Sequence, residues 1–225
     1  QIEKGKLRVQ NKIKSGKYIA YFQAFTNTYA PMEVLRKKFT EAIEHPDIVM
    51  LSVATRPDCL PDDVIDLLAQ LNTIKPVSVE LGLQTIHQKS ADYIRRGYNL
   101  ACFDDAVCRL KEAGLEVVCH IILGLPGESK SDMLQSVDYA CRSGINGIKL
   151  QLLHVLKNTD LEKEYRAGKF KTLTFEEYLD IIKSCVKIIP KEIVIHRLTG
   201  DGAKKDLIAP LWSADKKKEI GRAHV

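Results

Sequence analysis

Val117-Val118-Cys119-His120-Ile121-Ile122-Leu123 runs without a break into Gly124-Leu125-Pro126-Gly127-Glu128. A β-branched, apolar run of this length reads as a buried strand, and the Gly- and Pro-rich segment behind it as a tight turn. Upstream, Leu100, Phe103, Val107 and Leu110 make a helical stripe that Gly114 closes; downstream, Met133, Val137 and Cys141 begin another before Gly144. The unit is helix, strand, turn, helix.

The same unit repeats outward in both directions. Further apolar runs lie at Tyr18–Ala24, Ile48–Ala54, Val77–Leu83, Ile148–Leu153 and Ile193–Ile195. Successive starts are 30, 29, 40, 31 and 45 residues apart, close to one βα repeat. Between them, Met32, Leu35, Phe39 and Ile43 form one stripe, and Val64, Leu67, Leu68 and Leu71 another that Pro61 opens. Thr174 and Glu177 form a capping box ahead of Tyr178, Ile181, Ile182 and Cys185, and Pro190 ends that helix. Ile48-Val49-Met50-Leu51 reads as a strand apolar on both faces, as in a parallel sheet covered by helices. Strict alternation leaves two architectures, an open doubly wound sheet or a (β/α) barrel. No linker or sequence repeat interrupts it, so one domain is expected.

Composition agrees. The 225 residues are 45% hydrophobic and 28% charged, which excludes a mostly disordered chain. The apolar run Val117–Gly127 has only eleven residues, far short of the roughly 20 needed for a membrane span. A net charge of +5, scattered along the chain, permits an anionic partner without arguing for one. The six cysteines include no CxxC pair; Cys59, Cys119, Cys141 and Cys185 sit among apolar neighbours and read as buried thiols of a reducing cytoplasm. Neither a zinc nor an iron–sulfur site is expected within this chain.

Reactive groups of parallel α/β folds collect at the carboxyl ends of the strands. Those ends are polar or Gly-rich here. They read Gln23-Ala24-Phe25-Thr26-Asn27-Thr28, Thr55-Arg56-Pro57-Asp58, Glu80-Leu81-Gly82-Leu83-Gln84, His120 through Glu128, and Lys149-Leu150-Gln151-Leu152-Leu153-His154. Glu80 lies in an apolar run, where an unpaired carboxylate is costly, so it needs a partner. Alternation puts Gly82 and Gln84 on its face of the strand.

Together these motifs resemble the radical S-adenosylmethionine (SAM) superfamily, and within it the YhcC-like proteins. Tyr21-Phe22-Gln23-Ala24-Phe25, Thr55-Arg56-Pro57-Asp58, Glu80 through Gln84, His120 through Glu128, His196-Arg197-Leu198 and Ala209-Pro210-Leu211-Trp212 recur there in this order, over roughly residues 15–213. Oxygen-independent coproporphyrinogen oxidase and the elongator-type tRNA-modifying enzyme share the Gly-x-Gln and Gly-Leu-Pro-Gly signals. The resemblance implies an incomplete (β/α) barrel of the partial TIM type, five barrel strands followed by a C-terminal helix and strand. It implies a core over 1–213 and a tail over 214–225. It also implies a cytoplasmic enzyme with two cofactors, SAM and a [4Fe-4S] cluster held by three cysteines. One electron cleaves the bound SAM to a 5′-deoxyadenosyl radical, which takes hydrogen from a substrate.

No three-cysteine motif occurs in this chain. The first strand present resembles the family's second, so the first strand and the cluster loop are expected upstream of Gln1. At the other end, Glu219–Val225 reads like a translated sequencing adapter. The expectation is therefore a fragment of a longer enzyme, inactive by itself.

The resemblance also assigns residues. Gln23, Thr26, Asn27 and Thr28 replace the Gly-Gly-Glu segment that holds the SAM amino group; the plainer reading is a polar turn that caps the next helix. Arg56 and Asp58 are either a positioning ion pair or a Pro-locked turn. Ala54 stands where the tRNA-modifying relatives carry a Glu. Glu80 and Gln84 are candidates for the sugar or methionine part, against an ion pair of Glu80 with Arg95 or Arg96. Arg96 is offset from Gln84 as the methionine-carboxylate arginine is in the coproporphyrinogen enzyme, against a solvated helix-end arginine. His120 aligns with a ribose-binding Asp, against a core histidine. Gly124, Pro126 and Gly127 bring the backbone close to adenine, or simply make a turn. These residues are expected to converge at the carboxyl edge of the sheet.

Lys149, Gln151, His154, His196 and Arg197 are the substrate-side candidates, for an anionic substrate or acid–base work, against a role in capping the barrel. The substrate is not identified, with RNA among the candidates, and an electron donor is the other expected partner. Two competing readings are a cluster-independent barrel gripping a phosphorylated metabolite at Gly124–Gly127 and a non-catalytic RNA-binding module.

Overall fold

The computed structural model describes residues 2–9, 16–23, 25–200 and 204–215. Ala24 and the tail from 216 onward, with the adapter-like 219–225, lie outside the described residues. The chain forms two compact units, Gln1–Gly82 with Tyr98–Cys119 and Leu83–Gly97 with His120–Val225.

The first unit begins with α1 (Ile2–Val9), β1 (Tyr18–Phe22), α2 (Met32–Ile43) and β2 (Ile48–Thr55). A short 3-10 turn at Pro57–Cys59 leads to α3 (Asp62–Asn72) and β3 (Val77–Gln84), whose last two residues enter the second unit. After α4 (Gln88–Tyr93), which lies in the second unit, the chain returns for α5 (Leu100–Glu112) and the first half of β4 (Glu116–Leu123). The second unit continues with α6 (Lys130–Arg142), β5 (Gly147–Leu152), β6 (Val155–Leu156) and α7 (Asp160–Arg166). It ends with α8 (Phe175–Ile188), β7 (Val194–Arg197) and β8 (Leu207–Ala209).

Strand order in the six-stranded sheet is β1-β2-β3-β4-β5-β7, and β6 and β8 form a separate antiparallel pair. β1 with β2, β2 with β3, and β5 with β7 all run parallel. All the strands that the apolar runs predict are present. The last of them, β7, pairs with β5.

In the first unit the register explains what the apolar runs conceal. Leu51 pairs with Val77 and Val53 with Val79, and all four are buried. Burying each such side chain contributes about 1.5–3 kcal/mol. The alternate row pairs Ser52 with Ser78 and Ala54 with Glu80; it is polar, and its Ser52, Ser78 and Glu80 are buried too. The stretch Ile48–Leu51 is apolar throughout, as the sequence reading has it, and the polar row begins only at Ser52. Val49, 43% exposed, falls at an irregularity of the β1–β2 pair: Tyr18 pairs with Ile48 and Ile19 with Met50, which leaves Val49 as the extra residue. Phe22 meets Phe39 of α2 edge-on, with ring centroids 5.0 Å apart, a contact worth about 0.5–1.5 kcal/mol.

β1 stops at Phe22, short of the expected Ala24. The cause is local: Phe25 adopts a left-handed φ of 64°, and the Asn27 amide donates to the Phe22 carbonyl at 3.1 Å. Helix starts follow their caps. The Thr174 and Glu177 capping box opens α8 as predicted, and a second box, Ser129 with Asp132, opens α6. The short helices α4 and α7 and the two-strand β6–β8 pair are not legible as periodic runs.

Candidate functional site

Glu80 is the centre of the polar row in the first unit. It is 5% exposed, and each carboxylate oxygen accepts a hydroxyl hydrogen bond, Oε2 from Tyr21 at 2.7 Å and Oε1 from Ser52 at 2.8 Å. Two fixed hydroxyl donors set the carboxylate's orientation and offset part of the cost of burying it. Neither Tyr21 nor Ser52 was singled out from the sequence. Their signal was register: Tyr21 pairs with Ser52, two residues before the Ala54 that pairs with Glu80.

The loop after β1 holds itself together. The Asn27 side-chain amide also donates to the Ala54 carbonyl at 2.9 Å, joining the ends of β1 and β2. Thr28 is buried, with its hydroxyl against the Thr55 hydroxyl and donating to the Cys59 carbonyl. The side chains of Asn27 and Thr28 are therefore turn-forming, while Gln23 is exposed and Thr26 half-buried. Arg56 and Asp58 make a bidentate pair at 2.8 and 2.6 Å, and the guanidinium lies 5.4 Å from the Tyr98 ring centroid. The Arg56 guanidinium holds the Asp58 carboxyl below the usual carboxylate range.

In the second unit, Arg96 is 5% exposed and clamps the backbone on either side of Gln84. It donates to the Leu83 carbonyl at 3.3 Å and to the Thr85 carbonyl at 2.7 Å. Gln84 between them has φ 68°, so the clamp steadies a left-handed residue at the end of β3. Arg96 is thus not a solvated helix-end arginine. Arg95 is bound to Asp160 at 2.9 Å.

Two residues that the sequence placed in different roles meet here: the Gln151 amide and His120 Nδ1 are 2.8 Å apart. Gly124 and Gly127 have φ of 91° and 86°, conformations that favour glycine. Gly124 is buried, and a Cβ there would stand 2.9 Å from Leu173 Cδ1, so a protein side chain already approaches this backbone closely. Pro126 is half-buried. Glu128, the last residue of the motif, accepts at Oε1 from the Thr85 hydroxyl at 2.6 Å. Its Oε2 is buried without a hydrogen-bond partner among the described residues.

Of the substrate-side candidates, Lys149 is 8% exposed and in register with Arg197 across β5 and β7. His154 Nε2 lies 3.1 Å from Ser213 Oγ, whose hydroxyl donates to the Pro210 carbonyl at 2.8 Å. The imidazole is thereby tied to the C-terminal segment. His196 is exposed. Cys119 and Cys185 are buried as expected, whereas Cys59 and Cys141 are only half-buried. Burial pushes the Cys185 thiol up to about 12. Among the described residues no group of three His, Cys, Asp or Glu side chains is arranged to hold a metal ion, and no helix is long and apolar enough to cross a membrane.

Parallel strands joined through helices define an α/β fold of the incomplete (β/α)-barrel kind. The superposition on an archaeal Elp3 structure from Methanocaldococcus infernus agrees, with a TM-score of 0.77 at 20% identity, covering 92% of this chain and 53% of that one. Residues 3–140 match the model of the radical SAM superfamily, and residues 145–224 match that of the Radical_SAM C-terminal domain. The chain belongs to the radical SAM superfamily. It is 46% identical to YtqA of Bacillus subtilis over 216 residues, covering 96% of this chain and 67% of the relative. To YhcC of Escherichia coli it is 37% identical over 204 residues, covering 90% and 66%. The chain thus spans about two thirds of the length of these relatives.

Proposed function

We propose that this chain is the SAM-binding part of an enzyme that cleaves SAM reductively and uses the product to take a hydrogen atom from a substrate. The observation that carries the reading is Glu80. A buried carboxylate costs several kcal/mol of desolvation, roughly, unless bonded and oriented, and a leucine would fill the same place in an ordinary core without that cost. Its oxygens are acceptors, and the ribose hydroxyls and ammonium group of SAM are all hydrogen-bond donors. When bound, SAM supplies the 5′-deoxyadenosyl group that accepts the substrate's hydrogen atom.

The protein's own contribution is orientation. The Tyr21 and Ser52 hydroxyls hold the Glu80 carboxylate in one rotamer before ligand arrives, so little ordering is left for the binding step. In the second unit the Gln151 contact fixes the His120 ring, which suits a hydroxyl or a proton-transfer partner at a defined angle. An electron donor is the partner this reading requires.

The [4Fe-4S] cluster is a different matter. The described residues offer no three-ligand group for it, so they do not fit it, and no step here runs through it. Anaerobic reconstitution with iron and sulfide should leave this chain without the visible charge-transfer band, and SAM affinity should be weak. Stoichiometric cluster uptake would contradict the absence of a ligand set.

Calorimetric titration with SAM tests the central point. Glu80→Gln, which keeps shape but loses the charge, should weaken SAM at least about tenfold, the loss expected of a charge-assisted hydrogen bond. Unchanged affinity in that variant, or no SAM binding by the parent chain, would overturn the reading.

A further inference from the structure

Gln84 sits at a strained point of the second unit. Its φ is 68°, and the Thr85 N–H donates back to the Leu83 carbonyl at 2.8 Å, so Leu83, Gln84 and Thr85 close a left-handed γ-turn at the end of β3. Such turns are rare, and they persist only where their surroundings hold them. Three side chains do so here. Arg96 donates to both flanking carbonyls. Ser136 Oγ on α6 accepts from the Ile86 N–H at 3.2 Å. Glu128, in the turn after β4, accepts from the Thr85 hydroxyl at 2.6 Å, a length that suits an ionised acceptor. Thr85 itself is buried, and its hydroxyl oxygen also accepts from the His87 N–H at 3.1 Å.

Stability does not account for this arrangement. The turn carries strain, and Glu128 Oε2 is buried with no hydrogen-bond partner among the described residues, a second cost at the same place. Costs of this kind collect where a group is held ready for a ligand. The side chain that the arrangement leaves over is that of Gln84, which is half-buried and whose amide makes no hydrogen bond among the described residues. Resting on the function proposed above, we infer that Thr85 and Glu128 are positioning residues: their hydrogen bond locks the γ-turn so that the Gln84 amide is aimed before SAM binds. The same bond ties the Gly124–Gly127 turn to the end of β3, so two segments that carry SAM-site candidates are held as one piece. A group fixed in advance loses little freedom on binding, and that saving is what the strain supports.

Two measurements on the full chain test this, one of them without ligand. Nuclear magnetic relaxation of side-chain amides, with isotope-labelled glutamine, reads the order of the Gln84 amide, whose signal is identified by its loss in Gln84→Ala. Thr85→Val keeps the shape and removes the hydroxyl, so it should loosen that amide. Thr85→Ser should restore the parent's order, and Glu128→Gln should fall between. Calorimetric titration with SAM gives the second readout. Gln84→Ala should weaken SAM about tenfold, and Thr85→Val about threefold or more in the parent chain but hardly at all in the Gln84→Ala background. A merely structural residue would weaken SAM equally in both backgrounds. Thermal melts followed by circular dichroism check folding, and Glu128→Gln carries both measurements if Thr85→Val does not fold. The inference is overturned if the Gln84 amide is as mobile in the parent as in Thr85→Val, if SAM binds and Gln84→Ala leaves its affinity unchanged, or if the Thr85→Val loss is the same in both backgrounds. If the order of the amide follows Thr85 and Glu128 while the parent chain binds no SAM, the positioning pair stands and the SAM reading falls.

Discussion

Replacing Gly124 with alanine separates two explanations of the Gly124–Gly127 turn. Gly124 and Gly127 both have strongly positive φ, 91° and 86°, so alanine at either place carries a backbone penalty of about 1–2 kcal/mol. Their surroundings differ. A Cβ at Gly127 meets nothing within 4 Å, whereas one at Gly124 stands 2.9 Å from Leu173 Cδ1 and 3.2 Å from Leu173 Cγ. Relief must come from the Leu173 side chain turning away, because its backbone is held by the Trp212 indole N–H, which donates to the Leu173 carbonyl at 3.0 Å. Overpacking of this kind adds about 1–2 kcal/mol, so Gly124→Ala should cost about 2–4 kcal/mol against about 1–2 for Gly127→Ala. Urea unfolding followed by fluorescence reads this directly, since Trp212 is the chain's single tryptophan and neighbours Leu173. Combining Gly124→Ala with Leu173→Ala should recover the steric part as a coupling of about 1–2 kcal/mol. Equal costs at Gly124 and Gly127, with no coupling to Leu173, would refute the assignment of Gly124 to protein packing. A selective loss of SAM affinity in a stable Gly124→Ala chain would then return the position to the ligand.

The Asp58 carboxyl is depressed by Arg56, so its stabilising contribution is present above the unfolded value of about 4 and is lost as pH falls through the lower folded value. Asp58→Asn should accordingly lower the urea midpoint at pH 6 and converge with the parent chain near pH 2; a gap that persists in acid would contradict the pairing. For the thiols, Cys108 is exposed, Cys119 and Cys185 are buried, and burial pushes the Cys141 thiol up to about 11. A disulfide reagent at neutral pH should label Cys108 first and reach Cys119 and Cys185 only on unfolding; a fast phase that survives Cys108→Ser would show another thiol to be more accessible.

The repeat of strand and helix, the turn after β4 and the capping box of α8 were all legible in the sequence, because each is set by residues within a few positions of one another. Period, cap and turn chemistry act locally, and one chain segment displays them whole. The six-residue α4, the seven-residue α7 and the two-residue β6 escaped because such short elements carry no full period. The residue types of the candidate site were legible too, as polar groups at strand ends where an apolar core would not place them. What the tertiary structure alone decided is who holds whom. Glu80 is bonded to Tyr21 across 59 positions and to Ser52 across 28, and Gln151 reaches His120 across 31. Lys149 faces Arg197 only through an irregular register, and Arg96 turns inward to clamp two carbonyls. Such pairings depend on strand order and register, which are fixed by the burial of the whole sheet and leave no mark at the positions that come to meet.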